Sequence, residues 1–120
     1  MPRFPKSERL RQSKDFKAVF QQCRKLDDRS LALYVQFSED AGLRKFGVSL
    51  SRALGKAYLR NRLKRRLREI YRVEKEKFRG GYQVILIPRR GSAARTFDEL
   101  RTSFLTLAVR AGLLPRMKQG

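Results

Sequence analysis

Residues 55–88 read GKAYLRNRLKRRLREIYRVEKEKFRGGYQVILIP. From Ala57 to Phe78 there is neither Pro nor Gly, and good helix formers dominate. On a helical wheel the apolar side chains fall on one arc and the cations cover the rest; the apolar set is Leu59, Leu63, Leu67, Ile70, Tyr71 and Phe78. Two glycines then end the helix, and the apolar run Tyr82–Pro88 is typical of a strand covered on both faces. The stretch predicts a long basic amphipathic helix followed by the central strand of a sheet.

Upstream of this stretch, the pattern predicts one helix and two strands. Ser13 and Asp15 indicate a helix start, and the helix over 13–24 has an apolar face of Phe16, Val19, Phe20 and Cys23. Alternation predicts a half-buried strand over Leu31–Phe37 and a second strand, antiparallel to it, over 46–51. Residues 1–12 carry four cations and two prolines without periodicity, so we expect a basic arm with little fixed structure.

Downstream, Thr96 and Glu99 have the spacing of a capping box, and the helix that they open ends at Gly112. Residues 113–120 are expected to form a loose tail. The order α-β-β-α-β-α predicts one α+β domain over 1–120, a two-layer sandwich with helices packed on a mostly antiparallel sheet.

The charge of the chain indicates its kind of partner. Thirty Lys and Arg residues stand against 11 Asp and Glu in 120 residues, a net charge of +19. That is far more than solubility requires, so a polyanionic partner is expected. There is no His and one Cys, which removes the side chains on which zinc sites and most acid–base or thiol mechanisms depend.

The single cysteine also bears on compartment. Cys23 has no intramolecular disulfide partner, and no run of about 18 apolar residues occurs. We expect a cytoplasmic protein with no secretion signal and no membrane span. Cys23, Ser49 and Ser51 are poor candidates for nucleophiles, because no base or acidic partner stands at motif spacing.

The basic helix allows two interpretations. The segment from Lys56 to Arg79 contains eleven cations and three Glu, and seven of the cations lie between Lys56 and Arg68 inclusive. They could form a solvated helix face with i, i+3 or i+4 partners. Most precede the Glu residues, however, and cations near a helix N-terminus oppose the helix dipole. The pattern therefore favours nucleic-acid binding, and the excess of Arg over Lys, 20 to 10, suits RNA.

Three aromatic residues are candidates for base stacking. Phe16 and Phe20 lie one turn apart and could equally pack in the core. Tyr34 points to the strand face opposite Leu33 and Val35, where a ring could stack on an unpaired base.

Three segments together resemble the bacterial ribonuclease P protein component: Phe16–Phe20, Phe46–Ser51 and the Arg60–Glu69 block with Gly55 and Ala57 before it. The resemblance covers nearly the whole chain in order, with departures at Ala53 and Tyr58, where the family often has lysine and valine. It implies a four-stranded sheet, with a further short strand near Arg44 to Phe46. It also implies a left-handed crossover through the basic helix between parallel neighbouring strands, against the usual right-handed rule.

The function that the resemblance implies is removal of the 5′ leader from precursor tRNA, as the protein subunit of the ribonuclease P holoenzyme. A catalytic RNA subunit would hold the active site and the Mg²⁺ ions, with no catalytic, metal-binding or organic-cofactor residue on the protein and one protein per RNA. The residues implied to bind that RNA are Arg52, Lys56, Arg60, Asn61, Arg62, Lys64, Arg65 and Arg68. Those implied to bind the single-stranded leader are Phe16, Phe20 and Tyr34. The alternatives are a ribosomal or ribosome-assembly RNA-binding protein and, more remotely, a protein-only nuclease.

Overall fold

The computed structural model describes residues 6–10 and 13–114 of the chain. These residues form three α-helices and four β-strands in the order α-β-β-β-α-β-α. The elements are α1 (Ser13–Gln21), β1 (Arg24–Asp27), β2 (Leu31–Phe37), β3 (Arg44–Val48), α2 (Ala57–Glu74), β4 (Tyr82–Pro88) and α3 (Phe97–Ala111). The predicted α+β class is confirmed, with one strand more than the order read from the residues alone.

The strands form a single sheet among the described residues, in the order β1-β2-β4-β3. β1 and β2 pair antiparallel, as do β2 and β4, while β3 and β4 are parallel neighbours joined by α2. The predicted central position of β4 is thus confirmed. The strand predicted to be antiparallel to β2 is β3, and it does run antiparallel to β2. The two strands do not pair, however, because β4 lies between them. The hand of the crossover through α2 stays a prediction.

Several predicted boundaries differ from the structure: the second strand, predicted over 46–51, spans Arg44–Val48. The first helix ends at Gln21, not at residue 24, because Arg24 already pairs with Val35 at the start of β1. The additional strand is β1, whereas Arg44–Phe46 belong to β3. β1 escaped the sequence pattern because it is an edge strand in which only Leu26 is buried, so it lacks the apolar alternation of β2.

One face of the sheet packs against α2 and α3 and forms the main core. The apolar arc of α2 is buried through Leu63, Leu67, Ile70 and Tyr71, as its wheel predicted. The Tyr71 ring stacks on Phe46 of β3 at 4.2 Å between centroids. The predicted capping box opens α3: the Glu99 amide donates to Thr96 Oγ1, and the Thr96 amide donates to the Glu99 carboxylate. The buried arc of α2 and the stack of Tyr71 on Phe46 hold the basic helix on the sheet.

The opposite face packs against α1. A small cluster of Leu10, Val19 and Ile85 is buried there, with Phe16, Cys23, Tyr34 and Ile87 partly buried around it. Cys23, which the sequence placed on the apolar face of the first helix, packs in this small cluster and remains partly accessible.

Residues 6–10 lie along the free edge of β3. The Leu10 amide donates to the Phe46 carbonyl at 2.9 Å, and Lys75 Nζ bonds Glu8 at 2.8 Å. This part of the predicted arm is therefore held against the sheet; the rest of the arm lies outside the described residues. At the other end Leu113 is buried and its carbonyl accepts from Arg79, while most of the predicted tail, from 115 onward, is likewise outside them.

Candidate nucleic-acid interface

α2 presents a stripe of exposed residues on the side away from the sheet. Asn61, Arg62 and Arg65 lie there, all three exposed, whereas the buried residues Leu63 and Leu67 lie on the other side. This outer stripe follows from the helical period, because residues three or four apart share a face.

The two halves of α2 differ in how their charges are compensated. In the second half, Arg72 forms two hydrogen bonds with Glu69, and these lower the pKa of the Glu69 carboxyl. In the first half, Arg62, Lys64 and Arg65 have no carboxylate within ion-pair distance among the described residues. The uncompensated positive charge therefore lies where the sequence predicted RNA binding.

A groove of about 550 Å³ runs between α1, the end of β3 and α2. Its lining is Leu10, Phe16, Lys17, Phe20, Val48, Ser49, Leu50, Lys64 and Arg68. The groove brings together two rings that the resemblance assigned to the leader, Phe16 and Phe20. It also contains two cations that the resemblance assigned to the catalytic RNA, Lys64 and Arg68. The two predicted sites are therefore contiguous.

The groove is electropositive. Three of its lining residues are cations, and no carboxylate lines it among the described residues. Burial, together with the nearby charge of Arg68, lowers the pKa of the Lys64 ammonium below its ordinary value. A phosphate in the groove would relieve this crowding of like charges.

The aromatic wall of the groove combines packing and exposure. Phe20 keeps 39% of its surface exposed, and its ring meets Tyr34 edge-on at 5.0 Å. Tyr34 itself is half-buried and adjoins the groove without lining it. Phe20 and Tyr34 thus pack on each other, and Phe20 still presents a free apolar surface, while base stacking on these rings stays a prediction.

Gly47 lets the floor of the groove form. A Cβ at this position would lie 2.8 Å from Leu10 Cβ and 2.9 Å from Phe16 Cζ, closer than side-chain atoms tolerate. Because glycine has no side chain, Leu10 and Phe16 can rest directly on the backbone of β3. This close approach positions the Phe16 ring at the groove.

The remaining predicted RNA-binding residues surround the start of α2. Arg52 and Lys56 are exposed, Arg52 in the short 3₁₀ turn that Ser51 caps and Lys56 at the residue before the helix. Arg60 is half-buried, and its Nε has no hydrogen-bond partner within the described chain. Their roles in binding stay predictions.

Sequence reasoning missed two cations near the rings. Lys17 lines the groove, and the Lys25 ammonium lies 5.7 Å from the centre of the Tyr34 ring. Lys17 could have been found, because it lies one turn before Phe20 on the same helix. Lys25 required knowledge that β1 pairs with β2 and sets Lys25 opposite Tyr34.

Two negative observations concern residues 6–10 and 13–114 only. No cluster of three or more Cys, Asp or Glu side chains there could hold a metal ion. No helix in this part of the chain has the length and apolarity needed to cross a membrane.

Comparison with known proteins agrees with this geometry. A sequence model of the family described as Ribonuclease P matches residues 4–112. Among curated relatives, the ribonuclease P protein component of Symbiobacterium thermophilum is 37% identical over 111 residues, covering 92% of this chain and 96% of that protein. The one from Clostridium botulinum is 30% identical over 109 residues, covering 90% of this chain and 97% of its own length.

Solved structures share the fold. The RNase P protein of Staphylococcus aureus superposes with a TM-score of 0.82 at 25% identity, covering 91% of this chain and 99% of that one. The RNase P protein of Thermotoga maritima superposes with a TM-score of 0.76 at 31% identity, covering 86% and 96%. Family match, relatives and fold agree along nearly the whole length, and the chain belongs to the ribonuclease P protein family.

Proposed function

We propose that this chain is the protein subunit of a ribonucleoprotein ribonuclease P. It binds a catalytic RNA and the single-stranded 5′ leader of precursor tRNA, and the RNA performs the phosphodiester hydrolysis that leaves the mature 5′ end. The observation that carries the proposal is the groove in which Phe16 and Phe20 from α1 meet Lys64 and Arg68 from the basic helix.

The groove suits a single strand in particular. Its rings offer flat apolar surfaces for unstacked bases of any sequence, and its cations offer partners for the phosphates between them. Its volume of about 550 Å³ lies within the roughly 300–1,000 Å³ typical of small-ligand sites, which suits unpaired nucleotides taken singly. We assign Phe16, Phe20 and the adjoining Tyr34 to the leader.

The outer stripe of α2 suits a folded RNA, because phosphate contacts from a rigid helix fix the register of two macromolecules. We assign Arg52, Lys56, Arg60, Asn61, Arg62 and Arg65 to the catalytic RNA. Lys64 and Arg68 were also predicted to bind the catalytic RNA, but they line the groove. We therefore assign them to the boundary at which the catalytic RNA and the leader meet.

The chemistry is left to the RNA. No carboxylate lines the groove among the described residues, so the chain offers no ligand set for Mg²⁺ there, and the proposal gives Mg²⁺ to the RNA subunit. The protein contributes leader binding and screening of phosphate charge, which raise substrate affinity without contact to the scissile bond. We place this work in the cytoplasm, with one protein per RNA.

Reconstitution tests the proposal. The chain, a bacterial ribonuclease P RNA and precursor tRNA are combined at low Mg²⁺, and the cleavage position is followed. We expect cleavage at the mature 5′ end only when both subunits are present. Cleavage by the protein alone would support a protein-only nuclease, and stoichiometric co-sedimentation with ribosomal subunits would support the ribosomal alternative; either result contradicts the proposal.

The salt dependence of binding to the catalytic RNA tests the outer stripe. Each lost phosphate contact lowers the slope of log affinity against log salt by about 0.7–0.9. Replacing Arg62 and Arg65 by Ala should therefore flatten the slope. Arg72→Ala is the matched control, because the charge of Arg72 is already compensated by Glu69; equal slopes for all three proteins would remove the outer stripe from the interface.

A further inference from the structure

Tyr58 lies in the first turn of α2 and is the most exposed large hydrophobic residue of the described chain, at 65%. Within that part of the chain its ring packs on no other aromatic ring, and its hydroxyl has no hydrogen bond. A single exposed apolar side chain is ordinary on a protein surface. The surroundings of Tyr58, rather than its exposure alone, indicate a role.

Tyr58 faces the same direction around the helix axis as the outer stripe and lies about one turn before it along the chain. At about 100° per residue, Arg62 and Arg65 fall within roughly 40° of Tyr58 around the helix axis, whereas Leu63 and Leu67 fall about 140–180° away. The tyrosine therefore does not belong to the margin of the core. It follows the same helix face as two arginines that have no carboxylate partner among the described residues.

A role in folding accounts poorly for this residue. Tyrosine is a weaker helix former than the Lys, Arg and Leu residues around it, and an exposed ring gains nothing from burial. Tyr58 also does not line the groove, so the leader-binding rings do not explain it. A flat aromatic surface beside uncompensated guanidinium groups has the chemistry that single-stranded nucleic acid binds.

We propose that Tyr58 is a stacking platform for one unpaired nucleobase of the catalytic RNA. The base lies on the face of the ring, and Arg62 and Arg65 hold the phosphates on either side of that nucleotide. This inference rests on the proposed function and extends it: α2 then recognises a folded RNA that presents an unpaired base, and not a uniform duplex, which has no base free to stack.

The absence of tryptophan from the chain allows a direct test. In Tyr58→Trp the new indole is the sole tryptophan, and stacking on a base should quench its fluorescence when the ribonuclease P RNA binds. Val73→Trp is the matched control: Val73 is 47% exposed on the same helix, about 22 Å from Tyr58 along the axis, and its indole should keep its fluorescence.

Affinity measurements give a second readout. Tyr58→Ala should weaken binding of the ribonuclease P RNA roughly tenfold, while Tyr58→Phe should bind like the wild type, because the ring and not the hydroxyl carries the contact. The slope of log affinity against log salt should be the same for Tyr58→Ala and the wild type, because stacking releases no counterions. In this respect Tyr58→Ala should differ from the variant in which Arg62 and Arg65 are replaced by Ala.

Two results would overturn the inference, provided that the wild type binds the RNA and supports cleavage. One is that Tyr58→Ala binds the RNA as tightly as the wild type, and the other is that RNA binding leaves the fluorescence of the indole at position 58 unquenched. Far-ultraviolet circular dichroism of each variant verifies that α2 is intact. If the wild-type chain itself neither binds the RNA nor supports cleavage, the proposed function fails instead, so the two failures are distinguishable.

Discussion

The face of the sheet toward α2 and α3 is closed, whereas the face toward α1 is partly open. Helices of 18 and 15 residues cover the first face and bury a continuous core across all four strands. One helix of nine residues covers the second, where a small cluster of Leu10, Val19 and Ile85 is buried and the rings around it remain partly accessible. The difference indicates that stability is concentrated on one face, which leaves the aromatic residues of the other available for a ligand.

The largest effect should come from a cavity in the closed face. Leu67 has no exposed surface, and Leu67→Ala should lower the free energy of unfolding by about 3 kcal/mol, through lost burial and the cavity left behind. Urea denaturation measures this. Since domains of this kind are stable by only about 5–15 kcal/mol, a loss below about 1 kcal/mol would show that the closed face does not dominate stability.

A smaller effect is expected where α2 and α3 are joined by charge. The Glu74 carboxylate is 2% exposed and accepts from Arg101 Nε at 2.9 Å and Lys77 Nζ at 3.0 Å. Burial raises the pKa of Glu74, but the two hydrogen bonds and the two positive charges outweigh it, so the pKa is lowered from 4.5. Glu74→Gln should cost about 2 kcal/mol at pH 7.

The pH dependence of that cost identifies its origin. A carboxyl group whose pKa is lower in the folded than in the unfolded state stabilises the fold above the unfolded-state pKa, here near 4.5. This stabilisation is lost as the pH falls through the lower pKa of the folded state. The difference between wild type and Glu74→Gln should therefore shrink below about pH 4.5. Glu39→Gln, at an exposed turn, is the control and should differ little from wild type at any pH; a cost for Glu74→Gln that does not change with pH would mean that charge is not its cause.

The smallest effect on stability, and the clearest on function, should come from the open face. Phe20→Ala loses the edge-on contact with Tyr34, so it should cost about 1 kcal/mol or less in unfolding free energy. The same variant should bind leader-bearing precursor tRNA roughly tenfold more weakly in the reconstituted holoenzyme and leave mature tRNA binding unchanged. A Phe20→Ala variant as destabilised as Leu67→Ala would erase the distinction between the two faces.

The regular elements were predictable because their signals are local. The wheel of α2 identified its buried residues, and the capping box at Thr96 marked the start of α3, since both depend on residues a turn or less apart. The apolar run of β4 indicated a strand covered on both faces, and Val84, Ile85 and Leu86 are indeed fully buried.

What depends on distant pairing was not predictable. β1 has one buried side chain, so its strand state comes from pairing with β2 and not from its own composition. The parallel pairing of β3 with β4 was known only from the resemblance. The groove joins residues from three elements, and sequence reasoning accordingly divided Phe16 and Lys64 between two sites, although both line one groove.

The position of β4 has a consequence for how the chain is synthesised. β2 and β3 both pair with β4, which is made after them and after α2, and the 33 residues 49–81 separate β3 from β4 along the chain. As the polypeptide leaves the ribosome, its most cationic segment is complete before the strand that assembles the sheet has emerged. A nascent chain that ends between Glu74 and Tyr82 thus carries the whole cationic sequence of α2 without the strand on which β2 and β3 pair, so its positive charge is complete before its sheet.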